Sequence, residues 1–295
     1  MSIPATEVEL ELTFDATLAE CPVWDDEHQL LYWVDIEGGK VYRYNPATSK
    51  NEAFDIGEHV GSIALRKQGG LVMALKTGFA FYELEKQTLT HIADPESHLP
   101  NHRFNDGKCD PNGRFWAGTL SYDQQEGVGS LYCLNSNLSV DTKLRRLTIP
   151  NGMAWNDAGD TFYFIDSPDR TIYSFDFDQK TGTLQNRTEI FRLNDRKGLP
   201  DGMTIDREGK LWVAIYDGFG VIRVDPETGD ILHQIELPVP QVTSCTFGGP
   251  EFDELYITSA REHMTDEDVE KHPLSGSIFR ARVPSAGTPV NRFSG

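Results

Sequence analysis

An all-β, six-bladed β-propeller with four-stranded antiparallel blades is the fold that three features of this 295-residue sequence predict. A strand-turn-strand unit recurs, its spacing matches a propeller blade, and its repeats fill the chain. The unit is carried by short β-type runs at residues 30–35, 70–75, 114–119, 161–166, 210–215 and 254–259. Each follows a turn rich in Gly, Asp, Asn or Gln, such as Asp110-Pro-Asn-Gly113 or Asp206-Arg-Glu-Gly209, which is the chemistry of a tight hairpin. A second strand signal comes after most of them, as in Gly39-Lys-Val-Tyr-Arg-Tyr44 and Gly220-Val-Ile-Arg-Val224, with a weaker version at Gly78-Phe-Ala-Phe-Tyr82. The repeat of roughly 40 to 50 residues is the length of a four-stranded blade. A lone sheet of this kind cannot bury both faces, whereas six packed around an axis bury each against two neighbours.

Nothing in the sequence marks a linker, so residues 1–295 read as one propeller domain. Closure of the ring requires a link between its two ends. Residues 8–14, Val-Glu-Leu-Glu-Leu-Thr-Phe, alternate as an outer strand of the last blade should, and are expected to pair beside residues 290–293. Residues 265–272 read as a short charged helix on the surface of blade 6, stopped by Pro273.

Composition narrows the function. With 46 acidic and 27 basic residues, the net charge of −19 opposes a phosphate backbone, and no cluster of Lys and Arg interleaves with aromatics. Nucleic acid is therefore not an expected partner, and most of the acidity reads as a solvated surface. No run approaches the roughly 18 apolar residues of a membrane span. The start, Met1-Ser-Ile-Pro-Ala-Thr-Glu7, lacks the basic stretch and apolar core of a secretion signal, so a cytoplasmic location is expected. Cys21, Cys109, Cys133 and Cys245 show no metal or redox spacing and read as buried free thiols. The expected partner is a small molecule, and the expected state a monomer or weak homo-oligomer.

Chemistry in a propeller collects where inner strands line the central channel. The blade starts read Ala19-Glu20-Cys-Pro-Val-Trp24, Arg103-Phe-Asn105-Asp-Gly-Lys108, Pro150-Asn151-Gly-Met153, Pro200-Asp201-Gly-Met203 and Thr243-Ser-Cys-Thr-Phe247. Polar residues stand there where a core strand prefers apolar ones. Asn151-Gly152 and Asp201-Gly202 each make an ordinary turn signal. Their parallel setting, each flanked by Pro and Met ahead of a strand, favours a shared inward role instead. Carboxylate and amide oxygens converging in a channel would bury uncompensated charge, a conflict that a cation resolves. Glu20, Asn151 and Asp201 are the candidate ligands of one divalent metal, with Asn105 as a fourth or water-mediated contact. Oxygen donors suit Ca²⁺, Mg²⁺ or Mn²⁺ and admit Zn²⁺ or Fe²⁺; Ca²⁺ is the expected occupant.

These segments, with Asn101-His-Arg-Phe-Asn-Asp-Gly-Lys108, Gly113-Arg-Phe-Trp-Ala-Gly-Thr119 and Ser244-Cys-Thr-Phe-Gly-Gly249, resemble the family of senescence marker protein 30, gluconolactonases and luciferin-regenerating enzymes along essentially the whole chain. The resemblance implies a six-bladed propeller that hydrolyses a sugar lactone, with a divalent metal at Glu20, Asn151 and Asp201. It also implies that Arg103 and Asn105 bind substrate. Asp123 stands where the family usually has a Glu, one methylene longer, which puts that contact and the sugar preference in question. Tyr122, Tyr216 and Phe219 read as residues of the channel mouth or of inter-blade packing, and His102 is given no role.

The expected reaction opens an aldonolactone of the glucono-, galactono-, xylono- or arabinono- class. The metal serves as electrophile and Asp201 as general base. No G-x-S-x-G elbow offers a serine alternative. Other readings are a paraoxonase-like lactonase with a more apolar mouth, and a non-catalytic propeller that binds calcium or a partner.

Overall fold

The computed structural model describes residues 6–194 and 196–295. They form six four-stranded antiparallel sheets. Five are continuous in sequence, and the sixth takes three strands from the C-terminal region and one from the N-terminal segment. The inner strands are Ala19–Asp25, Val60–Leu65, His102–Cys109, Pro150–Trp155, Leu199–Ile205 and Val242–Gly248. Each recurring β-type run is the second strand of its blade, reached from the inner strand through the Gly- or Asp-rich turn. The expected free thiols are all buried.

Those turns are more than connectors. Asp110, fully buried, accepts hydrogen bonds at one oxygen from the amides of Asn112 (2.9 Å) and Arg114 (3.0 Å). Its other oxygen accepts from Arg114 Nε (2.5 Å) and the indole N–H of Trp116 (2.9 Å). Asp206 repeats the device two blades on, accepting from Glu208 N, Lys210 N, Trp212 Nε1 and Arg223 Nε. A D-x-x-G-x-x-W pattern thus ties hairpin, strand and core tryptophan through one carboxylate. Trp116 and Trp212 are both fully buried between blades.

All six inner strands slip register against their second strands. The slips lie at Glu20/Val23, Val60/Ser62, Phe104/Gly107, Asn151/Met153, Pro200/Met203 and Val242/Ser244. A bulge of this kind re-aims a side chain. It also lets neighbouring inner strands approach: a Cβ on Gly152 would sit 2.7 Å from the Asp201 carbonyl oxygen, and one on Gly202 2.1 Å from Ser244 Oγ. Asn151-Gly152 and Asp201-Gly202 are therefore strand interior at a bulge, not hairpin turns.

The closing strand corrects one expectation. Val8–Leu12 does join blade 6, but beside Ile278–Arg282, with Val8 opposite Ala281 and Leu10 opposite Phe279. Residues 290–293 lie elsewhere. Pro284 and Pro289 interrupt any ladder there, and the tail crosses the lower end of the channel to blade 2. Phe293 bridges Arg66 in parallel and is fully buried, while Arg292 binds Asp25 and Asp26. The expected helix is present as Asp266–Lys271, with Thr265 and Asp268 forming a capping box. No helix is long and apolar enough to cross a membrane among the described residues.

Replacing Asp110 with Ala strips four hydrogen bonds and leaves a buried guanidinium unpaired. The Asp110→Ala protein is expected to lose about 3–5 kcal/mol of stability, read as a lowered midpoint in denaturant unfolding.

Candidate active site

The upper end of the channel is where inner strands begin and second strands end. Asp35 and Asp166 close their second strands there and fix the entry to their inner strands. Asp35 accepts from Thr17 N and Leu18 N (3.2 and 3.0 Å), and Asp166 from Thr148 N and Ile149 N (2.9 and 2.7 Å). Glu20 and Asn151 follow two residues after these anchors. Cys21 then adopts a left-handed φ of 45°, an uncommon conformation for a residue with a side chain. It is locked by its thiol between the Ile63 carbonyl (3.4 Å) and amide (3.3 Å). Its own N–H donates to Glu20 Oε2 at 2.6 Å. The strained residue thereby orients its neighbouring carboxylate.

From blade 3 to blade 5, side chains form a continuous chain of hydrogen bonds. Arg103 Nη1 donates to Asn105 Oδ1 (2.8 Å), and Asn105 Nδ2 donates to Asn151 Oδ1 (2.9 Å) and the Pro150 carbonyl (3.0 Å). Asn151 Nδ2 donates to Ser167 Oγ (2.8 Å), which donates to the Pro200 carbonyl (2.7 Å), next to Asp201. Glu20, Arg103, Asn105, Asn151 and Asp201 are all buried.

The carboxylates join this cluster through electrostatics. Burial pushes Glu20 up to about 8, reinforced by Asp106 and opposed by the Cys21 amide and Arg103. Burial likewise drives Asp201 well above the usual range, with Glu20, then Asp106, then Glu262 adding to it. Neither carboxylate forms an ion pair among the described residues. Two desolvated carboxylates without a cationic partner, beside the Asn151 amide oxygen, which accepts only from the neutral Asn105 amide, are a donor set that fits a hard divalent cation. Glu20, Asp201 and the Asn151 amide oxygen are the groups able to hold one.

Sequence reasoning brought five of its six site residues to this place. The sixth, Asp123, is exposed on the rim, where its Oδ1 accepts from Asn101 Nδ2 at 2.9 Å. Tyr122 does stand at the mouth, its ring 6.0 Å from the Arg103 guanidinium carbon and its hydroxyl 3.0 Å from His59 Nδ1. Phe219 instead packs edge-on against His272. His102 binds Glu96 at 2.9 Å, away from the cluster.

Three residues were missed. Asp106 follows Asn105 in the strand and so faces the other way, into a cavity of about 470 Å³ below the cluster. Cys21, Lys108, Trp155 and Cys245 share that cavity, and the tail at residues 288–291 runs beneath it. Ser167 follows its blade's second strand in a single 3-10 turn. Glu262 lies just past the second strand of blade 6. Only Asp106 sits inside a motif that could have revealed it. A separate triad, Asp25, Glu27 and His28, gathers on the lower rim. It already receives the Arg292 guanidinium, 2.8 Å from Asp25 and 3.4 Å from Glu27.

Fold and site together define a six-bladed propeller with an acidic, oxygen-lined centre. Residues 18–261 match the family described as SMP-30/Gluconolactonase/LRE-like region, and the chain belongs to that family. It is 42% identical over 268 residues to regucalcin of Xenopus laevis, covering 89% of this chain and 90% of that protein. It is 36% identical over 286 residues to a Bacillus subtilis protein provisionally named sugar lactone lactonase YvrE, covering 97% and 98%. The structure of a luciferin-regenerating enzyme superposes with a TM-score of 0.93 at 32% identity, over 98% of this chain and all of that one. A calcium-binding protein, regucalcin, from Agrobacterium tumefaciens gives 0.93 at 26% identity, over 98% of both.

Ser167 fixes which end of the Asn151 amide faces the cluster. Removal of such an orienting partner costs about 10- to 100-fold in metal affinity. If Asn151 holds a divalent cation, Ser167→Ala is expected to weaken its binding by that factor in calorimetric titration, and an unchanged affinity would remove Ser167 from the orienting role.

Proposed function

We propose that the chain hydrolyses an aldonolactone of the glucono-, galactono-, xylono- or arabinono- class to its aldonic acid. One hard divalent cation, with Ca²⁺ as the expected occupant, would be held by Glu20, Asn151 and Asp201. The observation that carries this reading is the meeting of two buried, unpaired carboxylates with a directed amide network beneath a polar mouth. The family's name and the name of the Bacillus subtilis relative support the same class of reaction.

The cation would supply Lewis acidity toward the lactone carbonyl. The remaining chemistry belongs to the chain's own side chains. Asp201, ionised beside a cation, takes a proton from the attacking water as its oxygen bonds to the carbonyl carbon. The ring C–O bond then breaks, and that proton passes to the departing alkoxide oxygen. No covalent enzyme intermediate is required.

Hydrogen-bond accounting divides the binding roles. Both Nδ2 hydrogens of Asn105 are engaged by Pro150 and Asn151. Asn105 therefore serves substrate as an acceptor, through the free lone pair of Oδ1. Arg103 uses Nη1 for Phe104 and Asn105, so Nε and Nη2 serve as donors to substrate oxygens. Asp123, whose Oδ1 is engaged by Asn101, would offer substrate its Oδ2.

A second reading, cation binding without turnover, is favoured by the name of the Agrobacterium tumefaciens relative. One experiment separates the two. The purified protein is stripped with chelator and assayed by pH-stat on an aldonolactone panel, before and after Ca²⁺, Mg²⁺, Mn²⁺ or Zn²⁺ is restored. Acid release is expected only with metal. Silence on every lactone with metal bound would establish the binding-only reading. Asp201→Asn is expected to lower kcat about 10²- to 10⁴-fold, the usual range for a general base, and full activity in that variant would sink the assignment.

A further inference from the structure

Glu262 stands outside every motif recognised in the sequence, yet the fold holds it with unusual firmness. Its carbonyl accepts from Gln241 Nε2 at 2.7 Å, and Gln241 is itself buried. Just before it, Arg261 donates its amide to the Thr17 carbonyl (2.9 Å), Nε to Ser275 (2.6 Å) and Nη2 to Pro273 (3.0 Å). Ala260 bridges Leu18 across the junction of the first and last blades. The Glu262 backbone is thus fixed where the ring closes, at the upper end of the channel.

Its side chain is 15% exposed and loosely engaged. The Tyr216 hydroxyl donates to it at 3.4 Å, and the His263 imidazole, on a well-exposed side chain, lies 3.8 Å away. Glu262 follows the second strand of blade 6 and Arg103 starts the inner strand of blade 3, both at the upper end of the channel, and among neighbouring charges Glu262 does most to offset the effect of burial on Arg103. They form no ion pair. A carboxylate and a guanidinium with free N–H groups, set at the same end of the channel and not joined to each other, offer one ligand both an acceptor and a donor. A neutral ring bearing several hydroxyls satisfies both.

We infer that Glu262 is a specificity-determining residue that accepts hydrogen bonds from the hydroxyls of the lactone and, by its charge, disfavours the aldonate product. This rests on the lactonase reading for the identity of the ring. The charge argument follows from the reaction. Hydrolysis turns a neutral ligand into an anion in a mouth that already holds Glu262 and, nearby, Glu37. Like charges in a partly desolvated site repel. The carboxylate that helps hold substrate therefore helps expel product.

The two roles make opposite predictions for one variant. Glu262→Gln keeps the size of the side chain and removes its charge. The KM for an aldonolactone should rise about tenfold, the effect of losing a hydrogen bond to a charged acceptor. The inhibition constant of the corresponding aldonate should fall severalfold. Glu262→Asp, which keeps the charge on a shorter arm, should raise KM while leaving aldonate inhibition weak. A structural defect would weaken both ligands, so parallel shifts, or none, would overturn the inference.

If the wild-type protein hydrolyses no lactone, the lactonase reading fails separately. Calorimetric titration of wild type and Glu262→Gln with a hydroxylated lactam and an aldonate then decides the role of Glu262 without turnover. Opposite shifts sustain it. Parallel shifts, unchanged constants, or no binding of either compound to wild type would overturn it.

Discussion

Six sheets can share one axis only if their inner strands come within backbone contact, and the whole molecule turns on how that contact is reached. The answer is the same in every blade: the ladder between the first two strands slips at one level. At that level Gly152 and Gly202 leave no room for a side chain against the next strand, while their neighbours Asn151 and Asp201 are turned toward the channel. Crowding of the ring and polarity of its centre are thus two results of one distortion. An acid placed there has no water to retreat to, which is why burial dominates the behaviour of Glu20 and Asp201.

The network above this level is asymmetric. Blades 3, 4 and 5 are joined by Arg103, Asn105, Asn151 and Ser167 in sequence, whereas blade 1 contributes Glu20 on a strained backbone and blade 6 contributes Glu262 from its rim. Amides with both ends engaged set direction on one side of the channel, and charges set potential on the other. Partly satisfied polar groups are costly in a protein interior. The ring concentrates them at one level and surrounds them with apolar inter-blade packing such as Trp33, Trp116 and Trp212.

The fold was legible because each blade repeats the same local chemistry: alternating or apolar runs separated by hairpin turns. The candidate ligands were legible because polar residues interrupted strands that should have been apolar. Asn-Gly and Asp-Gly, ambiguous singly, were resolved by their parallel settings, though the bulge itself has no sequence signature separate from a turn. Ser167 and Glu262 could not be found in this way. Each lies just past a second strand, and its part depends on which blade ends meet in space. The tail at residues 290–293 misled for a related reason. A short apolar-aromatic segment near the end of the chain suits a closing strand as well as a plug, and only burial of Phe293 beside Arg66 decides between them.

The earliest of the described strands in chain order is the last to find its partner. Val8–Leu12 pairs with Ile278–Arg282, so during synthesis, which exposes the N-terminus first, it must wait for nearly the entire chain. A waiting strand with unpaired backbone is a template for wrong partners, and charge is the common protection. Glu9 and Glu11 provide that charge in the nascent chain. In the finished ring the same two carboxylates receive Arg280, at 2.8 and 3.1 Å, so the guard against aggregation becomes the lock on the closed circle.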